Sequence, residues 1–298
     1  MERLDLFVLG GGGILYDGGA QTYLREVTLA HELRVPVMVY AVSAGPLTDP
    51  AARALVRDAL DRAAAVTVRD RQGQRLLEEV GLHRQIQVTA DPALLLQPNT
   101  LPADALKREG LDGGQRLIGM SVREPGPAAP DMDVDHYHAL LANTADFIVD
   151  RLDATVVFVP MERGQMDLQH SHAVVSRMQA AERATVLKGE YTPRQLMALI
   201  RRFEFAVGMR LHFLLFAALA HVPFVALPYA PKVTGLIEEL EMEMPPLRHV
   251  NIGRLIATID RSWDRRRDLR ARIERRLPAL QERARQTHEI LVGLLGGQ

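Results

Sequence analysis

Short apolar runs rich in β-branched residues alternate with longer amphipathic segments along most of this chain, and few folds accept that order. It is the pattern of βα units laid on a parallel sheet. In the first half the runs are 4–9 (LDLFVL), 36–41 (PVMVYA), 65–68 (AVTV) and 86–89 (IQVT), and helical spacing covers 20–33, 50–63 and 70–80. Asp49-Pro50 supplies an N-cap followed by a first-turn proline. Residues 97–115 are rich in Pro, Gly and polar groups and read as a linker. A second series follows, with strands at 117–122, 155–159, 184–187, 203–207 and 223–227. Its helices are expected at 135–151, 168–181, 193–202, 211–221 and 233–240, the third of them opened by Thr192-Pro193.

The expected organisation is therefore an N-terminal Rossmann-like domain over 1–100, a linker at 101–115, a second Rossmann-like domain over 116–260 and a helical tail over 261–298. At 298 residues and 47% hydrophobic, the chain has enough apolar surface for two cores. In the tail, Leu269, Ile273, Leu277, Leu280 and Ala284 recur at helical spacing, and Pro278 should kink the helix. Ten arginines lie between Arg261 and Arg285. The simpler reading is a solvated face interleaved with acids. The sharper one is contact with an anionic membrane surface or a phosphorylated acceptor.

Several function classes lose support at this level. A net charge of −1 argues against a dedicated nucleic-acid binder, which carries a basic excess. With no cysteine, disulfides and thiolate chemistry are out of reach. No apolar run approaches the ~18 residues of a membrane span, which points to a cytoplasmic protein, with the inner membrane face as a second location. HExxH, GxSxG and carboxylate clusters are missing, so zinc hydrolysis and serine-hydrolase chemistry are unsupported and no metal is expected. His136/His138 and His170/His172 are i,i+2 pairs that diverge on a helix, so they are expected at the surface.

The positions that remain lie at strand ends, where open parallel sheets bind ligands. Gly10–Gly13 follow the first strand without a clean GxGxxG, and Glu32 falls inside a helix, so no dinucleotide site is assigned. Gly11, Gly12 and Gly13 either let backbone approach a substrate or form a tight turn. Arg123 ends the first strand of the second domain. Arg210 and His212 stand where a strand passes into a helix, and forked guanidinium donors beside a helix N-terminus describe an anion site. Read alone, that Arg-Leu-His stretch is more simply a helix start with exposed polar residues; Arg123 on a second strand end shifts the balance towards a site. After 155–159 come Glu162, which would face the same cleft, Arg163, and Asp167, most simply the cap of the next helix. Tyr229 and Lys232 follow the last strand, Lys232 either binding phosphate or lying at the surface.

Six segments resemble the polysaccharide pyruvyl transferase family in order and spacing: LGGGGILYD, VPVMVYAVSAGPL, AAAVTVRDRQGQRLLEEVGL, IQVTADPALLL, LIGMSVRE and GMRLHFLLFAALAHVPFVALPYAPKV. They run from about residue 5 to 240. The nearest likeness is to the wall-polymer branch, whose pyruvylated glycan anchors S-layer proteins in bacteria. The resemblance implies an α/β, GT-B-like fold with two Rossmann-like domains facing a cleft, the first on the acceptor side and the second on the donor side. It implies transfer of pyruvate from phosphoenolpyruvate onto a sugar of a cell-wall or exopolysaccharide precursor, as a ketal, with release of phosphate.

Phosphoenolpyruvate is then a donor substrate and no cofactor is implied; the acceptor is a lipid-linked or nucleotide-linked saccharide. The family's S-x-R and R-L-H elements carry over to Arg123, Arg210, Leu211 and His212. His212 is expected as the acid–base residue, since imidazole titrates near neutrality. Arg210 joins it in the catalytic pair. Family members begin with a further strand and glycine-rich loop, so about sixty residues of the first domain are expected to be missing. Ala230 stands where the family often has an aspartate. A glycosyltransferase using a nucleotide sugar, or a non-catalytic glycan-binding remnant, stay open as alternatives.

Overall fold

The computed structural model describes residues 4–111, 114–124, 132–162, 166–227, 231–242, 245 and 251–296. They belong to two compact units, one formed by Met1–Leu95 with Pro278–Gln298 and the other by Leu96–Leu277.

In the first unit, β1 (Phe7–Leu15), β2 (Val37–Ala44), β3 (Ala65–Val68) and β4 (Ile86–Val88) lie side by side in chain order, all parallel. The connections are α1 (Ala20–Glu32), α2 (Pro50–Asp61) and α3 (Arg71–Val80). β2 is buried along almost its whole length, as a strand between two covered faces should be. The Asp49 side chain accepts the Ala51 N–H at 3.0 Å, so the cap read from the sequence is present. The glycine run is a correction. It does not end the first strand, because Gly12 and Gly13 pair with Val42 and Ser43 inside β1. Gly11 and Gly12 have φ of 75° and 83°, a left-handed backbone that only glycine adopts without strain.

In the second unit the parallel sheet runs β7-β6-β5-β8-β9, with β5 Arg116–Ser121, β6 Ala154–Phe158, β7 Ala184–Val186, β8 Phe205–Gly208 and β9 Phe224–Ala226. The helices are α4 (Ala105–Arg108), α5 (Val134–Leu152), α6 (Asp167–Val175), α7 (Pro193–Ile200), α8 (Leu211–Leu219), α9 (Pro231–Leu240) and α10 (Ile252–Asp264). Thr192 and Gln195 close a capping box on α7. The segment 101–115 is more than bare chain. It holds α4, and buried Glu109 accepts the N–H groups of Lys188 and Gly189 and the Tyr191 hydroxyl at 2.7–2.9 Å. Glu109 thereby pins the loop after β7.

The tail is a further correction. Helix begins at Ile252, is interrupted at Arg265, and resumes as α11 (Arg266–Gly296), which carries Pro278 inside it. Its stripe of Leu269, Ile273, Leu277, Leu280 and Ala284 is buried, as the spacing predicts. Several tail arginines bond to the protein itself: Arg270 to the His221 carbonyl, Arg272 to that of Glu241, and Arg266 over the Trp263 ring. Among the described residues, no helix is long and apolar enough to cross a membrane.

Candidate active site

The order β7-β6-β5-β8-β9 means that the chain leaves β5 in one direction through β6 and β7, then returns to β5's other side as β8. That reversal lies between β5 and β8, and ligands of open α/β sheets bind beyond the strand carboxyl ends at such a point. Ser121 pairs with Gly208 as the last rung of these two strands. The Met209 N–H continues to the Ser121 carbonyl at 3.1 Å. Arg123 and Arg210, each two residues past that rung, therefore emerge side by side at the switch point. The Ser121 hydroxyl is buried there with no hydrogen-bond partner among the described residues.

Glycines in β5 and β8 make room for aromatic rings packed against the sheet. A Cβ on Gly119 would sit 2.4 Å from the Phe203 ring, and one on Gly208 2.5 Å from that of Phe213. α8 then begins at Leu211, with Arg210 as its N-cap residue. The helix is buried at Leu211, Phe213, Leu214, Leu215, Phe216, Ala217 and Ala218; burial of each large side chain stabilises by about 1.5–3 kcal/mol. His212 is the exposed position on this helix, its ring centroid 6.3 Å from that of Phe216. The apolar run thus holds a solvent-facing imidazole rigidly two residues past Arg210.

Arg210 itself is only 6% exposed, unlike the open anion-binding fork read from the sequence. Its Nε and Nη2 both donate to Asp167, at 3.0 and 2.5 Å, and its Nη1 lies 3.1 Å from Glu162. Asp167 is fully buried. It does not cap α6, whose N-cap residue is Met166. Instead its Oδ2 also accepts the Met161 and Glu162 N–H groups at 3.1 Å. One carboxylate therefore fixes both the guanidinium and the loop after β6. Glu162 is different: its side chain is 46% exposed, so its hold on Nη1 is open to exchange. Arg123 pairs with Glu124, and its carbonyl accepts the buried Tyr137 hydroxyl at 2.5 Å. Burial pushes the Tyr137 phenol up from its ordinary value, so it stays protonated.

The histidines correct another expectation. His138 and His170 are each 6% exposed, and His138 Nε2 meets His170 Nδ1 at 2.8 Å. Both are held below the ordinary imidazole value, by burial first and, for His170, by Arg123 and Arg210 as well. Among the described residues, no group of three His, Cys, Asp or Glu side chains is placed to hold a metal ion.

Tyr229 and Arg163 lie outside the described residues, as does the side chain of Lys232. Gly11, Gly12 and Gly13 belong to the first unit, whereas Arg123, Glu162, Arg210, Leu211 and His212 gather in the second. Beyond β6 and β7 the second unit has a cavity of about 220 Å³ lined by Pro160, Met161, Leu187, Glu190 and Tyr191 among others. Sequence reasoning overlooked a cluster in the first unit. There Arg69 Nε donates to Ser43 Oγ at 2.8 Å, Arg69 Nη1 to Asp91 at 2.6 Å, and Asp70 accepts the Gly73 N–H. The signal available was a charged RDR stretch directly after a buried strand.

These features define an α/β protein with parallel sheets, of GT-B-like class, whose second sheet presents paired arginines at its switch point. The chain belongs to the polysaccharide pyruvyl transferase family, whose model matches residues 2–231. That places it among transferases of polysaccharide pyruvylation. No sequence of curated function matches it. In fold it is similar to a Listeria monocytogenes protein described as a UDP-N-acetylglucosamine 2-epimerase, with TM-score 0.65 and 15% identity, over 97% of this chain and 73% of that one. It is also similar to Anabaena HepE in complex with UDP, with TM-score 0.58 and 16% identity, over 98% of this chain and 79% of that one. A third likeness is to the trehalose-6-phosphate synthase OtsA, with TM-score 0.55 and 13% identity, over 90% and 70% of the two chains. At these identities the likeness is one of fold alone.

Proposed function

We propose that the protein moves pyruvate from phosphoenolpyruvate onto two hydroxyls of one sugar in a cell-wall or exopolysaccharide precursor, forming a ketal and releasing phosphate. The observation that carries this reading is the register of β5 against β8, which sets Arg123 and Arg210 together at the switch point of the second sheet, in a chain of the pyruvyl transferase family. Phosphoenolpyruvate presents a carboxylate and a phosphate, and two guanidiniums with a helix start match them. Asp167 keeps the Nε edge of Arg210, and an anion of the donor takes over Nη1 as exposed Glu162 swings away. The wall-polymer assignment rests on the likeness of segments alone.

In the reaction, a proton is added to the methylene carbon, making it a methyl group, and the neighbouring carbon becomes an electrophile that the first sugar hydroxyl attacks. The second hydroxyl displaces phosphate at the same carbon. Two hydroxyl protons are lost; one balances the new methyl group and the other leaves on phosphate. His212, exposed and rigidly mounted, is the residue assigned to deliver and recover protons, within the reach of general acid–base catalysis. The acceptor is a lipid-linked or nucleotide-linked saccharide.

The test is phosphate release from phosphoenolpyruvate with and without lipid-linked saccharide. Acceptor-dependent release supports the reading; its absence across acceptors, with saturable binding of a nucleotide sugar, favours the second. That second reading, a glycosyltransferase using a nucleotide sugar, draws on the fold shared with HepE in complex with UDP.

A further inference from the structure

The buried His138–His170 pair has no part in the reaction just described, although it adjoins the same charged groups. Its bond of 2.8 Å requires a proton on one nitrogen and a lone pair on the other, so one ring donates and the other accepts. A proton added to an outer nitrogen gives an imidazolium bonded to an imidazole, and the pair survives with a stronger, charge-assisted bond. A second would place like charges against each other. The pair is therefore built to hold one added proton.

The charges around it determine when that proton is taken up. His170 follows Asp167 by one turn of α6 and lies within electrostatic reach of Asp167, Arg123 and Arg210. His138, on α5, is influenced by Asp135, Arg177 and His170, and Arg177 and Asp135 pair with each other. Burial holds both imidazoles below their ordinary value, joined by Arg123 and Arg210 at His170 and by His170 and Arg177 at His138. An anion bound at Arg123 and Arg210 offsets their repulsion of a charged His170 and so favours a proton on the pair, against the burial that still opposes it.

We propose that His138 and His170 are charge-balancing, positioning residues of the anion site, neutral when it is empty and taking up one proton as an anion binds beside Arg123 and Arg210. This rests on the reading of that crevice as an anion site and adds to it a proton stoichiometry and the residues responsible. The uptake brings the bound site closer to neutrality and holds α5, α6 and the arginine pair in one arrangement.

The test uses the full chain and inorganic sulfate, whose charge does not change across the neutral range, titrated by calorimetry in buffers of different ionisation enthalpy. Below 6.5, where the empty and anion-bound sites differ in protonation, the wild-type protein should take up protons on binding, and its sulfate affinity should fall by up to about tenfold per pH unit as the pH rises through that window, as linkage requires. His170→Gln and His138→Gln should each flatten that slope, while His172→Gln, at an exposed position of the same helix as His170, keeps it. Circular dichroism establishes that each variant is folded; since either member suffices, one folded variant decides the case. A purely structural pair would weaken binding and leave the slope unchanged, which would overturn the proposal. Sulfate binding without proton uptake overturns it too and leaves the anion site standing, whereas no sulfate binding by the wild-type protein removes both.

Discussion

Asp167→Ala removes the acceptor that ties three elements together, and its effect can be worked from the geometry. Asp167 is fully buried and takes two charged donors from Arg210 and two backbone N–H groups from the loop after β6. The variant leaves a guanidinium 6% exposed with only Glu162 beside it among the described carboxylates. Breaking a buried pair from one side costs about 3–5 kcal/mol, because the remaining charge stays desolvated. For a unit of this size, that corresponds to a fall in unfolding midpoint of roughly 6–20 °C. Thermal unfolding followed by circular dichroism measures it. The double variant Asp167→Leu/Arg210→Met, with no stranded charge, should recover most of the loss. A single variant within about 1 kcal/mol of wild type, or a double variant as unstable as the single, would refute the reasoning.

His212→Ala should abolish pyruvyl transfer while leaving the unfolding midpoint within about 1 °C of wild type, because the side chain is exposed on a helix anchored by its neighbours; turnover and a melt check both halves. Gly119→Ala should destabilise by about 1–3 kcal/mol, since its Cβ meets the Phe203 ring and overpacking forces rings off their rotamers; urea denaturation reads it. For His138 and His170 the folded values lie below the ordinary 6.5, so the unfolded chain binds more protons on acidification. Stability without added anion should therefore be full above 6.5 and decline as the pH falls from 6.5 towards the lowered folded values. His170→Gln should reduce that decline in a melting series across the window.

Periodicity carried the strands and helices of both sheets, because alternation and caps are local signals: β3 was read at 65–68 and is found at Ala65–Val68. The placement of Arg123, Arg210 and His212 just beyond the ends of β5 and β8 was legible, because the strand boundaries are local signals. What was not legible depends on long-range pairing. Asp167 meets Arg210 across 43 positions and His138 meets His170 across 32. Judged as i,i+2 neighbours, those histidines belong at the surface; the partner that buries each comes from another helix. The glycine run misled for a different reason. A run of four glycines reads as the end of a strand, yet Gly11 and Gly12 take positive φ inside β1 and β2 keeps pairing with it through Leu15.

Pyruvyl transfer fixes both the fate of the donor's carbons and the source of the new methyl hydrogen. Carbon-13-labelled phosphoenolpyruvate, incubated in deuterium oxide with the protein and a lipid-linked saccharide acceptor, tests both by NMR. A labelled ketal carbon on the sugar, bearing a methyl group with one solvent deuteron, is expected from the wild-type protein and no such product from His212→Ala. Label that never reaches the acceptor, while a nucleotide sugar is consumed in its place, would contradict it.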